Sequence, residues 1–187
     1  MSATSVATGL PASLLVWDTS PLFHAIKAGK LDILGDAART WQGGGRRNVT
    51  TQTVVDELGT YGLSLASADW LEIVHVDHLN ELTALVKWMD QVSGSKSNEG
   101  EATVLAWAEI HGATAVIDDG DARRIAGKQK NPLPVWGSLR VIATAVSDGH
   151  ATEYVGSNLV DALIDSGARY PCARGQFISW AKQNGLL

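Results

Sequence analysis

Two short apolar runs, each ended by aspartate, constrain the fold of this chain more than any other feature. The run LLVW at 14–17 is followed by Asp18, and the run ATAVI at 113–117 is followed by Asp118 and Asp119. Uninterrupted apolar runs of this length are typical of strands buried on both faces, as in a parallel sheet. Such sheets form their sites outside the carboxyl ends of the strands. The sequence therefore predicts chemistry at these aspartates.

Helical and extended patterns alternate along the chain. Further strands are predicted at 48–51, 70–76 and 135–136, and helices are predicted to start near residues 52, 77, 101, 138 and 152. Strands that alternate with helices imply a parallel sheet covered by helices with right-handed crossovers. We therefore predict a three-layer α/β/α fold with a central parallel sheet and a helical C-terminal segment.

The predicted domain spans residues 13–171. Residues 1–12 are small and polar and are expected to be flexible, and residues 172–187 are expected to form a helical tail. Three local features are also predicted. The segment 41–47 is predicted as a flexible basic loop, Ser138 is predicted to cap a helix, and the helix after Asp77 is predicted from apolar residues at amphipathic spacing. Those residues are Leu79, Leu82, Leu85, Val86, Met89 and Val92.

Composition limits the class of protein. The 187 residues carry a net charge of −5 and one cysteine, Cys172. A single cysteine allows no intrachain disulfide and fits a reducing compartment. The N-terminal residues have no signal-peptide pattern, and no apolar stretch approaches the roughly 20 residues of a membrane span. We expect a cytoplasmic protein whose acidic total leaves room for a local basic face or for acids neutralised by metal ions.

Each acid near the predicted strand ends has a structural explanation when taken alone. Asp18 and either Asp119 or Asp121 are suitable helix N-caps. Glu99 and Glu101 favour a helix N-terminus, and Glu57 is compatible with a solvated helix surface. Their joint pattern is harder to explain by capping. Carboxylates held close together repel one another unless a cation lies between them, so a divalent metal site is the first hypothesis.

These residues resemble the PIN-domain nucleases, which include the toxins of VapBC-type toxin–antitoxin pairs. The segments 14–20, 53–58, 100–102 and 117–126 resemble that family's four acidic motifs in order. The likeness is closest to the subgroup with a GEA helix and a DD..AR..A segment followed by WG. It covers about residues 14–171.

The resemblance implies that Asp18, Glu57, Glu101 and Asp119 are the catalytic acids and bind Mg²⁺ or Mn²⁺. The last motif can also be aligned on Asp118, which is therefore an alternative ligand, although adjacent side chains at a strand end point in opposite directions. Hard oxygen ligands suit these ions. Residues expected to contact the phosphates of the substrate are Ser20, Arg46, Arg47 and Arg123.

The implied activity is that of a metal-dependent ribonuclease, an Mg²⁺/Mn²⁺-dependent endoribonuclease that hydrolyses RNA phosphodiester bonds. A toxin role, a small antitoxin partner and a homodimer follow from the same resemblance. The alternative is a non-catalytic PIN-like module that binds RNA or protein, since all four acids are present in either case. A weaker hypothesis is a flavodoxin-like small-molecule binder. The histidines lack metal-ligand spacing, and no G-x-G-x-x-G or P-loop sequence is present.

Overall fold

A computed structural model of the protein describes residues 12–41, 44–92 and 98–187. The expectations for residues 1–11, and those for positions 42–43 and 93–97, lie outside this range. The first half contains β1 (Leu14–Trp17), α1 (Thr19–Lys27), α2 (Leu31–Arg39), β2 (Thr40–Trp41), β3 (Gly44–Gly45), β4 (Arg47–Thr51), α3 (Gln52–Thr60), β5 (Glu72–Val74) and α4 (Leu79–Val92). The second half contains α5 (Glu99–His111), β6 (Thr114–Val116), α6 (Gly120–Gly127), β7 (Val135–Trp136), α7 (Ser138–Ser147), α8 (Glu153–Asp165) and α9 (Phe177–Gln183).

Five strands form a parallel sheet in the order β5-β4-β1-β6-β7. Helices cover the sheet, which confirms the predicted three-layer α/β/α architecture with a helical C-terminal segment. The central strand β1 pairs with β4 on one side and β6 on the other, and most of its residues are fully buried. This explains why its sequence is an unbroken apolar run, because neither face meets water.

The register of the sheet brings the two predicted strand ends together. Trp17 lies opposite Val116, so Asp18 and Asp118 leave the sheet at the same edge. The backbone N–H of Asp18 donates to the carbonyl oxygen of Val116 at 3.0 Å, which extends the pairing up to the first acid. The edge at the carboxyl ends of β1 and β6 is therefore where the predicted chemistry must be sought.

The segment 41–47 differs from its prediction as a flexible basic loop. β2 and β3 form an antiparallel pair, and Arg46, which follows them, is only 5% exposed. Its Nε donates to the carbonyl oxygen of Ala12 at 2.8 Å, and its guanidinium lies 5.7 Å from the Trp136 ring. The basic side chain is drawn inward because backbone carbonyl groups and an aromatic ring offer it partners there.

Helix α4 forms as predicted, but much of its apolar stripe faces solvent. Leu79 is 83% exposed and Val86 is 70% exposed, whereas Trp88 and Glu81 are buried. The helix can bury Glu81 because this carboxylate accepts the backbone N–H groups of residues 77 and 78 and contacts a histidine of α5, His111, at 2.6 Å. Buried polar groups are tolerated when they are paired. The Glu81 side chain therefore satisfies two backbone N–H groups directly before this helix.

Smaller differences concern single elements. The strand predicted at 70–76 is limited to β5. The predicted extended piece at 135–136 and the helix near the C-terminus are present as β7 and α9. No helix in the described parts of the chain has the length and apolarity needed to cross a bilayer.

Candidate functional site

Asp18 lies at the junction of β1 and α1 and is buried. Its Oδ2 accepts the backbone N–H of Ser20 at 3.5 Å, so the residue does act as the N-cap of α1. Burial raises the pKa of its carboxyl to about 7, against the lowering effect of the Thr19 and Ser20 backbone groups. The charges of Glu57 and Asp118 raise the pKa further. Capping therefore explains one contact of Asp18 but not the acids around it.

Glu57 is fixed by contacts from two other elements. Its Oε1 accepts the backbone N–H of Gly100 at 2.9 Å, and its Oε2 accepts a short hydrogen bond from the Thr19 hydroxyl. A Cβ placed on residue 100 would lie 2.4 Å from Oε2, so glycine is needed at this position for the carboxylate to approach. The glycine of the GEA sequence thus has a direct role in placing Glu57.

A pair of buried threonines fixes α3 against α5. The hydroxyl of Thr51, which caps α3 by accepting the N–H of Val54, lies 2.9 Å from the hydroxyl of Thr103. Thr103 in turn donates to the carbonyl oxygen of Gly100 at 2.7 Å. Because Glu57 lies on α3 and Glu101 on the first turn of α5, these bonds fix the relative positions of the two glutamates.

Glu101 is partly buried at the start of α5. Burial is the largest cause that raises its pKa, to about 8, and the charges of Asp18, Asp119 and Glu57 raise it as well. Asp18, Glu57 and Asp119 therefore all lie within electrostatic reach of Glu101. Accumulated negative charge of this kind is what a bound cation neutralises.

Asp118 and Asp119 have different surroundings. Asp118 accepts the backbone N–H of Ser138 at 2.7 Å, the Ser138 hydroxyl at 2.9 Å and the Tyr170 hydroxyl at 3.4 Å. Burial raises its pKa, while Ser138, Arg123 and Tyr170 act in the opposite direction. Asp119 uses Oδ1 to cap α6 by accepting the N–H groups of residues 121 and 122. Its Oδ2 accepts no hydrogen bond from the described residues.

The predicted role of Ser138 as a helix cap is wrong. Gly137 occupies the N-cap position of α7, and Ser138 is the first residue of the helix. Its hydroxyl is directed to Asp118 and also lies 2.8 Å from the Tyr170 hydroxyl. The Ser138 hydroxyl donates to Asp118 instead of capping the helix, because a carboxylate removed from water needs hydrogen-bond donors.

Two adjoining cavities lie at the acidic edge. The first, of about 310 Å³, is lined by Asp18, Glu57 and Glu101 together with Ser20 and aromatic residues of α1 and its neighbours. The second, of about 260 Å³, is lined by Asp118 and Asp119, and Ser20 contributes to both. The predicted substrate residue Ser20 therefore stands between the two groups of acids.

The donor set suits a hard divalent cation. The predicted ligands are all carboxylate oxygens, which are typical of sites for such cations. Among the described residues, the group whose ligand atoms all lie within 4.8 Å of one another is a different one, formed by Asp77, His78 and Glu81. The carboxylate of Glu81 is already occupied by two backbone N–H groups and His111. The ligand atoms of the acids at the strand ends do not form such a group among the described residues, but these acids line the two cavities.

Two of the predicted phosphate contacts do not lie near these acids. Arg47 is opposite Leu14 at the start of β1, whereas Asp18 follows the other end of that strand. It forms an exposed bidentate pair with Glu72. Arg46 is buried among backbone carbonyl groups beside it. Arg123, by contrast, lies close to Asp118, with Nη1 2.6 Å from the position of a Cβ on Gly137.

Sequence reasoning missed several residues that shape this edge. Thr19 had a signal, because it follows Asp18 within the first motif, and Ser138 adjoins the WG sequence. Tyr170 had none, since it is 52 positions from the carboxylate it contacts. The same holds for His24 on α1, whose Nδ1 lies 3.1 Å from the Ser166 hydroxyl, and for Arg169; both line the second cavity.

Comparison with known proteins adds a family assignment to this geometry. A family profile described as a PIN domain matches residues 14–178, which is most of the chain. No curated protein and no solved structure gives a significant match. The matched range begins with β1 and includes all the acids described above. The parallel sheet, the acids at its carboxyl edge and this match agree: the chain belongs to the PIN-domain family.

Proposed function

We propose that this protein is an endoribonuclease that hydrolyses RNA phosphodiester bonds with Mg²⁺ or Mn²⁺. PIN domains are in general nucleases, which gives the class of activity. The observation that carries the proposal is the electrostatic grouping of Asp18, Glu57, Glu101 and Asp119 at one edge of the sheet. Four separate places in the chain supply these acids. Asp18 is buried and Glu101 is partly buried, and negative charges grouped in this way are costly unless a cation is bound.

The four acids have distinct proposed roles. Asp18 and Asp119 bind the ion most directly, because Asp119 keeps one oxygen that no described donor occupies and Asp18 is central to the group. Glu57, anchored by Gly100 and Thr19, completes the negative cluster in a fixed geometry. Glu101 lies within electrostatic reach of the other three acids and orients a water molecule. A bound divalent ion would lower the pKa of that water and offset charge on the phosphate.

We assign Asp118 a positioning role. Three donors from Ser138 and Tyr170 contact its two oxygens, so fewer of its lone pairs are open to a metal ion than those of Asp119 Oδ2. Its charge nevertheless adds to the field that raises the pKa of Asp18. Asp119 is therefore the preferred ligand of the last motif.

The test is cleavage of a labelled single-stranded RNA with Mg²⁺ or Mn²⁺. We expect cleavage that EDTA abolishes and that Asp18→Asn and Glu101→Gln each reduce by at least about a hundredfold, the scale of a lost catalytic group. Glu72→Gln, which removes an exposed carboxylate at the other end of the sheet, is the matched control and should cleave normally.

Two results would contradict the proposal. Cleavage that survives EDTA and Asp18→Asn would place the activity elsewhere or in a contaminant. RNA binding without cleavage by the folded, metal-loaded protein would favour the non-catalytic PIN-like module instead.

Two further proposals concern the partners of this nuclease. We extend the proposed function to a cytoplasmic toxin that is restrained by a small antitoxin; induced expression in a bacterial host should arrest growth only when Asp18 is intact.

Exposed apolar residues on α4, among them Leu79, Leu82 and Val86, support a homodimer through that helix. Light scattering should then show a dimer that Val86→Glu converts to a monomer.

A further inference from the structure

We infer that Arg123, Arg140 and Arg169 form a binding pocket for a phosphate of the RNA strand next to the one that is cleaved. This inference rests on the proposed function. The arginine pocket is the cavity of about 260 Å³ that these three side chains line together with Asp118 and other residues of α7, α9 and the loop after α8. The three arginines come from α6, α7 and the loop after α8, so only the folded chain brings them together.

The three guanidinium groups form no ion pair with a carboxylate of the described residues, although the charge of Arg123 opposes the rise in the pKa of Asp118 that burial causes. Within the described ranges, none of them lies within 4.0 Å of an aspartate or glutamate oxygen. Arg140 packs over the Trp136 ring at 4.8 Å, and Arg123 lies against Gly137. Other exposed arginines of this chain do pair with acids, namely Arg39, Arg47, Arg124 and Arg174. Three guanidinium groups that form no ion pair and surround one cavity favour an anionic ligand, and phosphate matches their donor geometry well.

The arginine pocket continues the acidic edge. Asp118, Arg169 and Tyr170 line both it and the second cavity, and Ser20 joins the second cavity to the first. A strand laid along this path passes from the carboxylates, where a metal ion would hold the reacting phosphate, to the arginines. Because phosphates recur regularly along a strand, a neighbouring one falls where the positive charge is.

The remaining wall of the arginine pocket is apolar. Trp180 on α9 and Leu139 on α7 line it, together with Pro171 and Leu186. A phosphate alone would not need an apolar wall, whereas a nucleotide also presents a flat base. Aromatic walls beside cationic side chains are typical of sites for single-stranded nucleic acid. The chemistry therefore favours a nucleotide of an unpaired RNA strand over an inorganic anion.

The test measures binding of a short fluorescent single-stranded RNA by anisotropy, in EDTA and in the Asp18→Asn background so that cleavage does not interfere. We expect the double variant Arg140→Ala/Arg169→Ala to weaken binding by about tenfold or more. The slope of log affinity against log salt should fall by about 0.7 for each phosphate that the variant no longer neutralises. Arg123→Ala should act in the same direction.

Neighbouring arginines give matched controls. Arg124 adjoins Arg123 on α6 but pairs with Asp121, and Arg174 lies near Arg169 in sequence but pairs with Asp165. Arg124→Ala and Arg174→Ala should leave both affinity and salt slope almost unchanged. Thermal melting of each variant checks that it is folded, and Arg140→Lys with Arg169→Lys should recover part of the affinity because the charge is kept.

The outcomes separate this inference from the proposed function. If the wild-type protein cleaves RNA through Asp18 but the arginine variants bind normally, the arginine pocket is wrong and the nuclease stands. If the protein never cleaves RNA but the variants still lose RNA affinity, the nuclease is wrong and the pocket stands. The same variants should also be tested with a poly-glutamate peptide. If they keep their RNA affinity but lose affinity for this peptide, the pocket binds an acidic protein partner and not RNA.

Discussion

The backbone N–H of Gly100 donates to Oε1 of Glu57 at 2.9 Å, and the missing side chain of Gly100 leaves the space that Oε2 occupies. A second glycine has the same relation to the other group of acids. A Cβ on Gly137 would lie 3.3 Å from Oδ1 of Asp118 and 2.6 Å from Nη1 of Arg123. At both places a charged side chain packs directly on the backbone of a helix start, which only glycine permits.

Gly100→Ala should therefore remove activity without unfolding the protein. The new methyl group would displace the Glu57 carboxylate, which is the end of a flexible side chain, and we expect RNA cleavage to fall by about tenfold to a hundredfold. The free energy of unfolding should change by no more than about 1 kcal/mol, since alanine favours the helix that it enters. Cleavage assays and chemical denaturation measure the two effects.

Gly59→Ala is the control for this substitution. Gly59 lies on α3, two residues after Glu57, and a Cβ there meets nothing within 4 Å. It should stabilise the helix by about 0.5–1 kcal/mol and leave cleavage unchanged. An equal drop of activity in the two variants would show that the contact between residues 57 and 100 is not the cause.

The metal-free protein should lose stability as pH rises from about 4 to about 8. The pKa of Asp18 is raised from its ordinary value of 3.8 to about 7 in the fold, and that of Glu101 is raised to about 8. In this window the folded state binds protons that the unfolded state has released, so deprotonation favours unfolding. Denaturation in EDTA at a series of pH values measures the slope.

Asp18→Asn should flatten this pH dependence and, in EDTA at pH 8, should be more stable than the wild type by about 2 kcal/mol. Mn²⁺ should reverse the order, because it binds the wild-type carboxylates and stabilises the folded state. Asp36→Asn, at an exposed position of α2, is the control. An Asp18→Asn variant that is less stable than the wild type at pH 8 without metal would contradict the crowding of acids described above.

Asp118→Asn should lower the stability of the fold, whereas Asp119→Asn should lower its affinity for metal. At position 119, asparagine can still cap α6 through its amide oxygen, so stability should hardly change while Mn²⁺ affinity falls by about tenfold or more. At position 118, an amide cannot satisfy all the donors of Ser138 and Tyr170, and unfolding should become easier by about 1–3 kcal/mol. Calorimetry with Mn²⁺ and denaturation of both variants decide which aspartate is the ligand; the reverse pattern would assign that role to Asp118.

Arg46→Ala should destabilise the fold without affecting RNA binding. The buried guanidinium donates to the carbonyl oxygens of Ala12 and Ala38. Its removal takes this donor from the Ala12 carbonyl oxygen at a cost of about 2 kcal/mol, while Asn48 still donates to that of Ala38. Arg47→Ala removes an exposed pair with Glu72 and should cost less than about 1 kcal/mol. Anisotropy measured below the melting temperature of each variant should give wild-type RNA affinity, and a tenfold decrease in either would restore these arginines as phosphate contacts.

The sequence by itself determined the sheet and the arrangement of its acids. The runs before Asp18 and Asp118 had to be buried strands because they are apolar on both faces. Parallel pairing then had to place their carboxyl ends at one edge. The order of the four acidic motifs indicated the family, because each motif is a short local stretch that can be recognised in the sequence alone.

Only the tertiary structure decided how the groups at that edge are paired. Asp118 finds its donors 20 and 52 positions away, at Ser138 and Tyr170, and no local pattern announces such contacts. The solvent-facing stripe of α4 and the burial of Arg46 were missed for a related reason. Residue spacing shows that a helix has two faces or that a loop is basic, whereas burial depends on which distant groups can satisfy each side chain.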